Sequence, residues 1–124
     1  EWAAVESAVV TPGQNGVDDI WLVVRRTIGG VTRRYIEVMQ TPFEYGALED
    51  AFQVDCGLSY SGAPVNVVSG LGHLNGETVD VLADGKVFRG LTVAYGQVAL
   101  PAGATAAKWQ VGLPFQAQAD TLEL

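Results

Sequence analysis

The sequence is poor in the residues that carry most catalytic and metal chemistry. It has one cysteine, Cys56, and one histidine, His73, so it can form neither an internal disulfide nor a cysteine-based zinc cluster. Basic residues are scarce too, because 7 Lys and Arg stand against 14 Asp and Glu and give a net charge of −7. Since phosphate contacts need a basic face, we expect no general or sequence-specific nucleic-acid binding.

Long apolar runs and helical periodicity are also missing. No run approaches the roughly 20 apolar residues of a membrane-spanning helix, and there is no signal-peptide start. Instead, β-branched and aromatic residues alternate with polar ones in short segments separated by glycine-rich turns. This pattern predicts an all-β fold. The chain opens at Glu1 rather than at a methionine, so we expect a piece of a longer protein.

The clearest local signal is an antiparallel β-hairpin around Gly29-Gly30. The flanking segments, residues 20–28 and 31–39, are rich in β-branched and aromatic side chains. A Gly-Gly pair suits a type I′ turn, in which both central residues need a positive φ. Both faces of this hairpin are largely apolar, so we expect both to be covered by other parts of the protein.

Shorter strand-like segments follow a connector, residues 40–53, which breaks the β pattern. They recur every 8–12 residues or so, a spacing typical of small barrels and sandwiches. Asp84-Gly85 marks the clearest hairpin among them, and Ser61-Gly62 predicts a further turn. We therefore divide the chain into residues 1–53, a hairpin region of a larger parent domain, and residues 54–124, a small β-barrel or sandwich. The predicted strands cover residues 2–11, 20–28, 31–39, 54–60, 65–71, 77–83, 86–95, 97–102 and 107–115.

Two motifs resemble catalytic or cofactor-binding loops but do not fit them. The segment GLSYSG (57–62) has the wrong spacing for a nucleophile elbow and no strand-to-helix turn to hold one. The segment GLGHLNG (70–76) has Asn75 where a dinucleotide loop needs its third glycine, and no βαβ unit surrounds it. We interpret both as turns.

The remaining candidates for chemistry are isolated. Cys56 and His73 would need an orienting third group and an electropositive setting to act as a nucleophile and its base. We interpret Cys56 as a small core residue and His73 as a loop residue. The carboxylates of Glu49, Asp50 and Asp55 lack the regular spacing of a calcium loop. We therefore predict no enzyme activity, no metal site and no cofactor.

Four of the seven basic residues fall in the predicted hairpin. A turn at the Gly-Gly pair places Arg25 opposite Arg34 and Arg26 opposite Arg33. Like charges directly opposite each other on a sheet are unfavourable unless anions lie between them. The hairpin arginines therefore need carboxylate partners.

Two sources of those carboxylates stay open. In the first interpretation they belong to this chain, and Glu37 or Asp19 is the partner. In the second they belong to another domain or subunit, since arginine is well suited to interface ion pairs. The second interpretation makes all four hairpin arginines interface candidates.

Several sequence blocks resemble tail proteins of short-tailed bacteriophages and prophages. The hairpin block DDIWLVVRRTIGGVTRRYIEVM is preceded by EWAAVESAVVTPG. It is followed by VDCGLSYSGAP, then SGLGHLNGETVDVLADG, then VGLPF. The blocks occur in the family's order and cover nearly the whole chain. They are similar to the tail nozzle (tail tubular protein B-like) family.

This resemblance implies a structural fragment of a longer ring subunit at the end of a short tail, through which the genome leaves. It implies other copies of the parent subunit and other tail proteins as partners. The expected location is the virion tail, with the host cytoplasm during assembly. Residues 66–115 are also similar to a small β-domain described as FCCH-like, which carries no ubiquitin chemistry here. The resemblance supplies no catalytic residue and leaves open whether the isolated fragment is monomeric.

A carbohydrate-binding module that recognises host surface glycans is the alternative function. Small β-domains bind sugars through exposed aromatic side chains. The alternative therefore needs aromatic residues on one open face, and the candidates are Trp2, Tyr45, Tyr60 and Tyr95.

Overall fold

The computed structural model describes residues 3–122 and confirms the all-β prediction. Within that range all long pairings are antiparallel, no sheet closes into a barrel, and helical segments are three-residue 3₁₀ turns. None of these helical segments is long and apolar enough to cross a membrane. The strands are β1 (Ala3–Pro12), β2 (Asp18–Ile28), β3 (Val31–Val38), β4 (Asp55–Val65), β5 (Val67–Val68), β6 (Thr78–Ala83), β7 (Lys86–Thr92), β8 (Val98–Ala99) and β9 (Ala106–Leu113).

The first three strands form one sheet in the order β1-β2-β3. The turn between β2 and β3 is Gly29-Gly30, with φ values of 57° and 77°. These values are those of the type I′ turn that glycine tolerates best. The predicted register is confirmed, with Arg25 opposite Arg34 and Arg26 opposite Arg33.

The second sheet has the order β4-β9-β6-β7, and β5 pairs with β8 beside it. The predicted hairpin at Asp84-Gly85 is confirmed. The turn predicted at Ser61-Gly62 is wrong, because β4 runs through it. Its partner β9 pairs with it as far as Val65, which lies opposite Ala106. The local trace of the expected turn is a register shift between Ser61 and Val65. The predicted strands 65–71 and 97–102 are reduced to the two-residue strands β5 and β8.

The hydrophobic core lies mainly in the second half of the chain but includes the hairpin tip. Ile28 is buried in the same cluster as Leu71 and Leu74. Beside it, the Gly29 N–H donates a hydrogen bond to a Glu77 carboxylate oxygen at 2.7 Å. The division near residue 53 therefore stays a prediction, and the core draws on both sides of it.

One face of the three-stranded sheet is uncovered within residues 3–122. We call this the outer face; it carries Val9, Trp21 and Ile36, which are 57%, 38% and 77% exposed. The opposite, inner face carries the buried Val24 and Ile28. No described residue covers the outer face, so the expectation that another part of a larger protein covers it stays a prediction.

Candidate interface on the three-stranded sheet

The four hairpin arginines divide between the two faces of the sheet. Because side chains alternate along a strand, Arg25 and Arg34 lie on the outer face with Trp21, whereas Arg26 and Arg33 lie on the inner face. The like charges that the sequence placed opposite each other therefore form two separate pairs, one on each face.

On the outer face, one carboxylate serves two guanidinium groups. Glu6 of β1 accepts hydrogen bonds from Arg34 Nε and Nη2 at 2.5 and 3.3 Å, and its Oε1 lies 3.6 Å from Arg25 Nε. The Arg34 hydrogen bond, aided by the charges of both arginines, holds the pKa of Glu6 below its usual value. The carboxylate is therefore ionised at neutral pH, and this group of three keeps one positive charge in excess.

On the inner face, Arg26 forms a bidentate pair with Glu37. The Nε–Oε1 and Nη2–Oε2 distances are 2.6 and 2.8 Å, and Arg26 is 8% exposed. The Glu37 hydrogen bonds raise the pKa of Arg26 against the opposing effect of burial. The prediction of Glu37 as an intrachain partner is confirmed. Asp19 is wrong as a partner, since it lies opposite Thr11 and forms no ion pair with a described arginine.

Arg33 is the remaining member of the set. It is exposed, and no described carboxylate lies within 4 Å of it. The hairpin half of the sheet thus holds four guanidinium groups against the carboxylates of Glu6 and Glu37. A chain with a net charge of −7 has a local positive excess there.

Cys56 and His73 lie near the inner face, but their contact involves the backbone. His73 Nε2 is 3.0 Å from the Cys56 carbonyl oxygen. Burial, with a smaller effect from Glu37, raises the pKa of the Cys56 thiol to about 12. The thiol is protonated at neutral pH, the opposite of what a cysteine nucleophile needs.

We predict that Cys56 reacts slowly with iodoacetamide in the folded protein. A rise in pKa from 9.0 to about 12 lowers the thiolate fraction at pH 8 by roughly 1,000-fold, which the greater nucleophilicity of a more basic thiolate offsets in part. Alkylation followed by mass spectrometry should therefore be at least about tenfold slower than in the urea-unfolded chain. Equal rates in both states would contradict the burial of this thiol.

The other sequence candidates do not form a reactive site. Asp50 pairs with Lys108 at 2.7 Å, and the Glu49 carbonyl oxygen accepts a hydrogen bond from Gln110 Nε2 at 3.0 Å. No group of three or more His, Cys, Asp or Glu side chains placed to hold a metal ion occurs in the part of the chain that the structure describes. The Asp50 carboxylate and the Glu49 backbone carbonyl oxygen thus join the connector to β9.

The aromatic residues named for glycan binding have different environments. Tyr60 stacks on Trp109, with ring centroids 5.3 Å apart, and its hydroxyl donates to the Ala63 carbonyl oxygen at 2.9 Å. Tyr45 and Tyr95 are 87% and 97% exposed, in the connector and in the turn before β8. Trp2 lies outside the described residues.

An open groove of about 1140 Å³ separates part of the inner face from β4 and the connector. Apolar side chains such as Leu22, Phe43 and Phe52 line it together with the Arg26–Glu37 pair. The inner face is therefore covered at the hairpin tip, where Ile28 is buried, and open farther from it.

Searches of protein-family models and of curated proteins give no match to this chain. The likeness to tail nozzle subunits thus depends on the sequence blocks alone. The residue that sequence reasoning missed is Glu6, the shared partner of Arg25 and Arg34. The available signal was a lone acidic residue in the apolar segment AAVESAVV, on the strand that precedes the hairpin.

Proposed function

We propose that this chain is a structural piece of a bacteriophage or prophage tail, from a nozzle-type ring subunit, and that it acts through protein–protein interfaces. The observation that carries the proposal is the outer face, where Val9, Trp21 and Ile36 are exposed beside Arg25 and Arg34. Exposed apolar patches rimmed by polar groups are typical of protein interaction sites. The ordered tail-protein blocks in the sequence support the same function.

The partners in this proposal are other copies of the parent subunit and other tail proteins, and the location is the virion tail. The acidic net charge is compatible with a position along the DNA exit path, because a lining that attracted phosphate would retard exit. The proposal includes no catalytic step, in keeping with a protonated Cys56 thiol at neutral pH.

Immunogold electron microscopy tests the location directly. The probe is an antibody raised against this chain, applied to particles induced from the bacterium that encodes it. Gold clustered at the tail end would support the proposal. Particles without label, despite a lysate blot that shows the protein, would overturn it.

We predict that the Arg25→Glu, Arg34→Glu double variant impairs tail assembly while the isolated chain stays folded. Both side chains are exposed, so the chain should stay folded, at a modest cost from placing three carboxylates together around Glu6. The same change reverses the charge of the surface at which we propose that a partner docks. In a complementation assay, tailed particles should fall at least about tenfold, since mismatched charge at an interface costs several kcal/mol. The matched control is Lys86→Glu with Arg89→Glu on β7, which makes the same change of charge elsewhere. Normal assembly of the first variant would remove the outer face from the interface.

Glycan binding stays the second candidate because Tyr45 and Tyr95 are almost fully exposed. It requires these rings to contact one saccharide. Titration with host polysaccharide, followed by intrinsic fluorescence, separates the two functions, because a tail-interface domain has no reason to bind sugar saturably.

A further inference from the structure

The edge strand β3 presents a regular row of unpaired backbone groups. Directly after β3, the N–H of Met39 donates to the Ile20 carbonyl oxygen at 2.9 Å. Because backbone hydrogen bonds alternate along an antiparallel pair, the odd-numbered residues of β3 are those whose backbone groups bond to β2. The backbone N–H and C=O groups of the alternate residues point away from β2, and no hydrogen bond joins them to another described backbone group. These alternate residues are Thr32, Arg34, Ile36 and Val38.

The other long edge strands are irregular, and irregularity is one way in which proteins block edge pairing. β1 has a register shift between Val5 and Ser7 and ends at Pro12. The pairing of β4 with β9 has two register shifts, and the pairing of β7 with β6 has one at Asp80 of β6. The β2–β3 pairing has no such shift. Among the described long edges, β3 alone keeps the uninterrupted geometry that an added strand needs.

The two arginines of β3 determine which charged residues an added strand would need. Arg33 and Arg34 are successive residues, so they project to opposite faces. Arg33 has no described carboxylate within 4 Å, and Arg34 shares Glu6 with Arg25. Two successive acidic residues in a neighbouring strand would lie opposite both arginines, one on each face.

We propose that β3 receives an extended acidic strand from a neighbouring protein chain by antiparallel β-augmentation. Two successive Asp or Glu residues of that strand lie opposite Arg34 and Arg33, and apolar residues lie opposite Tyr35 and Ile36. Backbone hydrogen bonds supply affinity, and the side-chain pairs supply register. The inference rests on the proposed interface function and names the chemistry of the partner.

A second copy of β3 fits this edge less well. The antiparallel register that brings Arg33 opposite Glu37 of the second copy leaves Arg34 opposite Ile36. The next possible register, shifted by two residues, places Arg34 of one copy opposite Arg34 of the other. Glu37 is moreover already occupied by Arg26. Because self-pairing satisfies at most one of the two arginines, the charges favour a separate acidic strand.

The test uses the whole chain and a synthetic peptide as the probe. The peptide reads valine-lysine-isoleucine-valine-glutamate-glutamate-threonine-valine, which places its glutamates opposite Arg34 and Arg33. Amide hydrogen exchange by NMR should show new protection at the outward N–H groups of β3. A matched peptide with two glutamines should bind about tenfold more weakly, as loss of two exposed charge pairs implies.

Variants then test the pairing. Arg33→Glu with Arg34→Glu should reverse the preference toward a peptide with two lysines, whereas Arg89→Glu on β7 should leave binding unchanged. The inference is overturned if millimolar peptide gives no protection of β3, or if the glutamate and glutamine peptides bind equally well. It is also overturned if β3 becomes protected without peptide as the protein concentration rises, because that result would identify a second copy as the partner. Gold labelling of the tail with a negative peptide result would remove this inference and keep the proposed function.

Discussion

Replacing Glu37 with glutamine is expected to lower the free energy of unfolding by about 3 kcal/mol, because it leaves the buried Arg26 guanidinium without its counter-charge. Arg26 is 8% exposed and directs both Nε and Nη2 at the Glu37 carboxylate. The Glu37 side chain keeps some solvent contact, with a relative exposure of 20%, so the expected loss lies at the lower end for a buried pair. Urea unfolding followed by circular dichroism measures it.

Two further variants separate the charge from the packing. Arg26→Met combined with Glu37→Leu removes both charges, and its stability should return to within about 1 kcal/mol of the parent, as for other buried pairs replaced by apolar residues. Arg89→Gln removes an exposed guanidinium that lies 3.7 Å from the partly buried Asp80 carboxylate, and because Arg89 itself is exposed the change should cost less than about 1 kcal/mol. A double variant no more stable than Glu37→Gln would show that the pair is not the cause.

Gly57→Ala and Gly112→Ala are expected to destabilise the second sheet by about 3 kcal/mol each, the upper range for overpacking a tight site. These glycines lie at the irregular step between β4 and β9. A Cβ on Gly112 would come within 2.6 Å of the Asp55 carbonyl oxygen and 2.9 Å of the Gly57 Cα. A Cβ on Gly57 would meet the Val111 carbonyl oxygen, so backbone would have to move in both cases.

Gly72→Ala is the matched control for these two variants. A Cβ there meets no heavy atom within 4 Å, and the backbone has no positive φ that would strain alanine. Its unfolding free energy should change by less than about 0.5 kcal/mol, as for other surface substitutions. If all three variants melted at the same temperature, the close approach of β4 and β9 would be refuted.

Local chemistry made the hairpin predictable from the sequence. A two-residue turn of glycines fixes which residues pair, so Arg25–Arg34 and Arg26–Arg33 followed without knowledge of the rest of the fold. The turn at Ser61-Gly62 failed for the opposite reason. Pairing with β9, some fifty residues away in sequence, holds that segment extended, and tertiary pairing outweighs local turn propensity.

The candidate interface was predictable only in part. Alternation places Arg25 and Arg26 on opposite faces, but which face is buried depends on where Ile28 packs, and that is decided by residues of the second sheet. Glu6 was not predicted as the partner of Arg25 and Arg34, because the face on which its side chain lies depends on a bulge in β1 between Val5 and Ser7. A bulge shifts every residue beyond it by one, and single-sequence patterns do not reveal it.

The place of β9 in the second sheet has a consequence for synthesis on the ribosome. β9 is the last of the strands within residues 3–122, yet it lies between β4 and β6. While the chain emerges, β6 and β7 can form their hairpin and β4 has no neighbour to pair with. The sheet is completed only when residues 106–113 arrive, since non-local pairing waits for both strands. Until then β4 is an unpaired edge of the nascent chain, so translation through β9 is the step that completes this sheet.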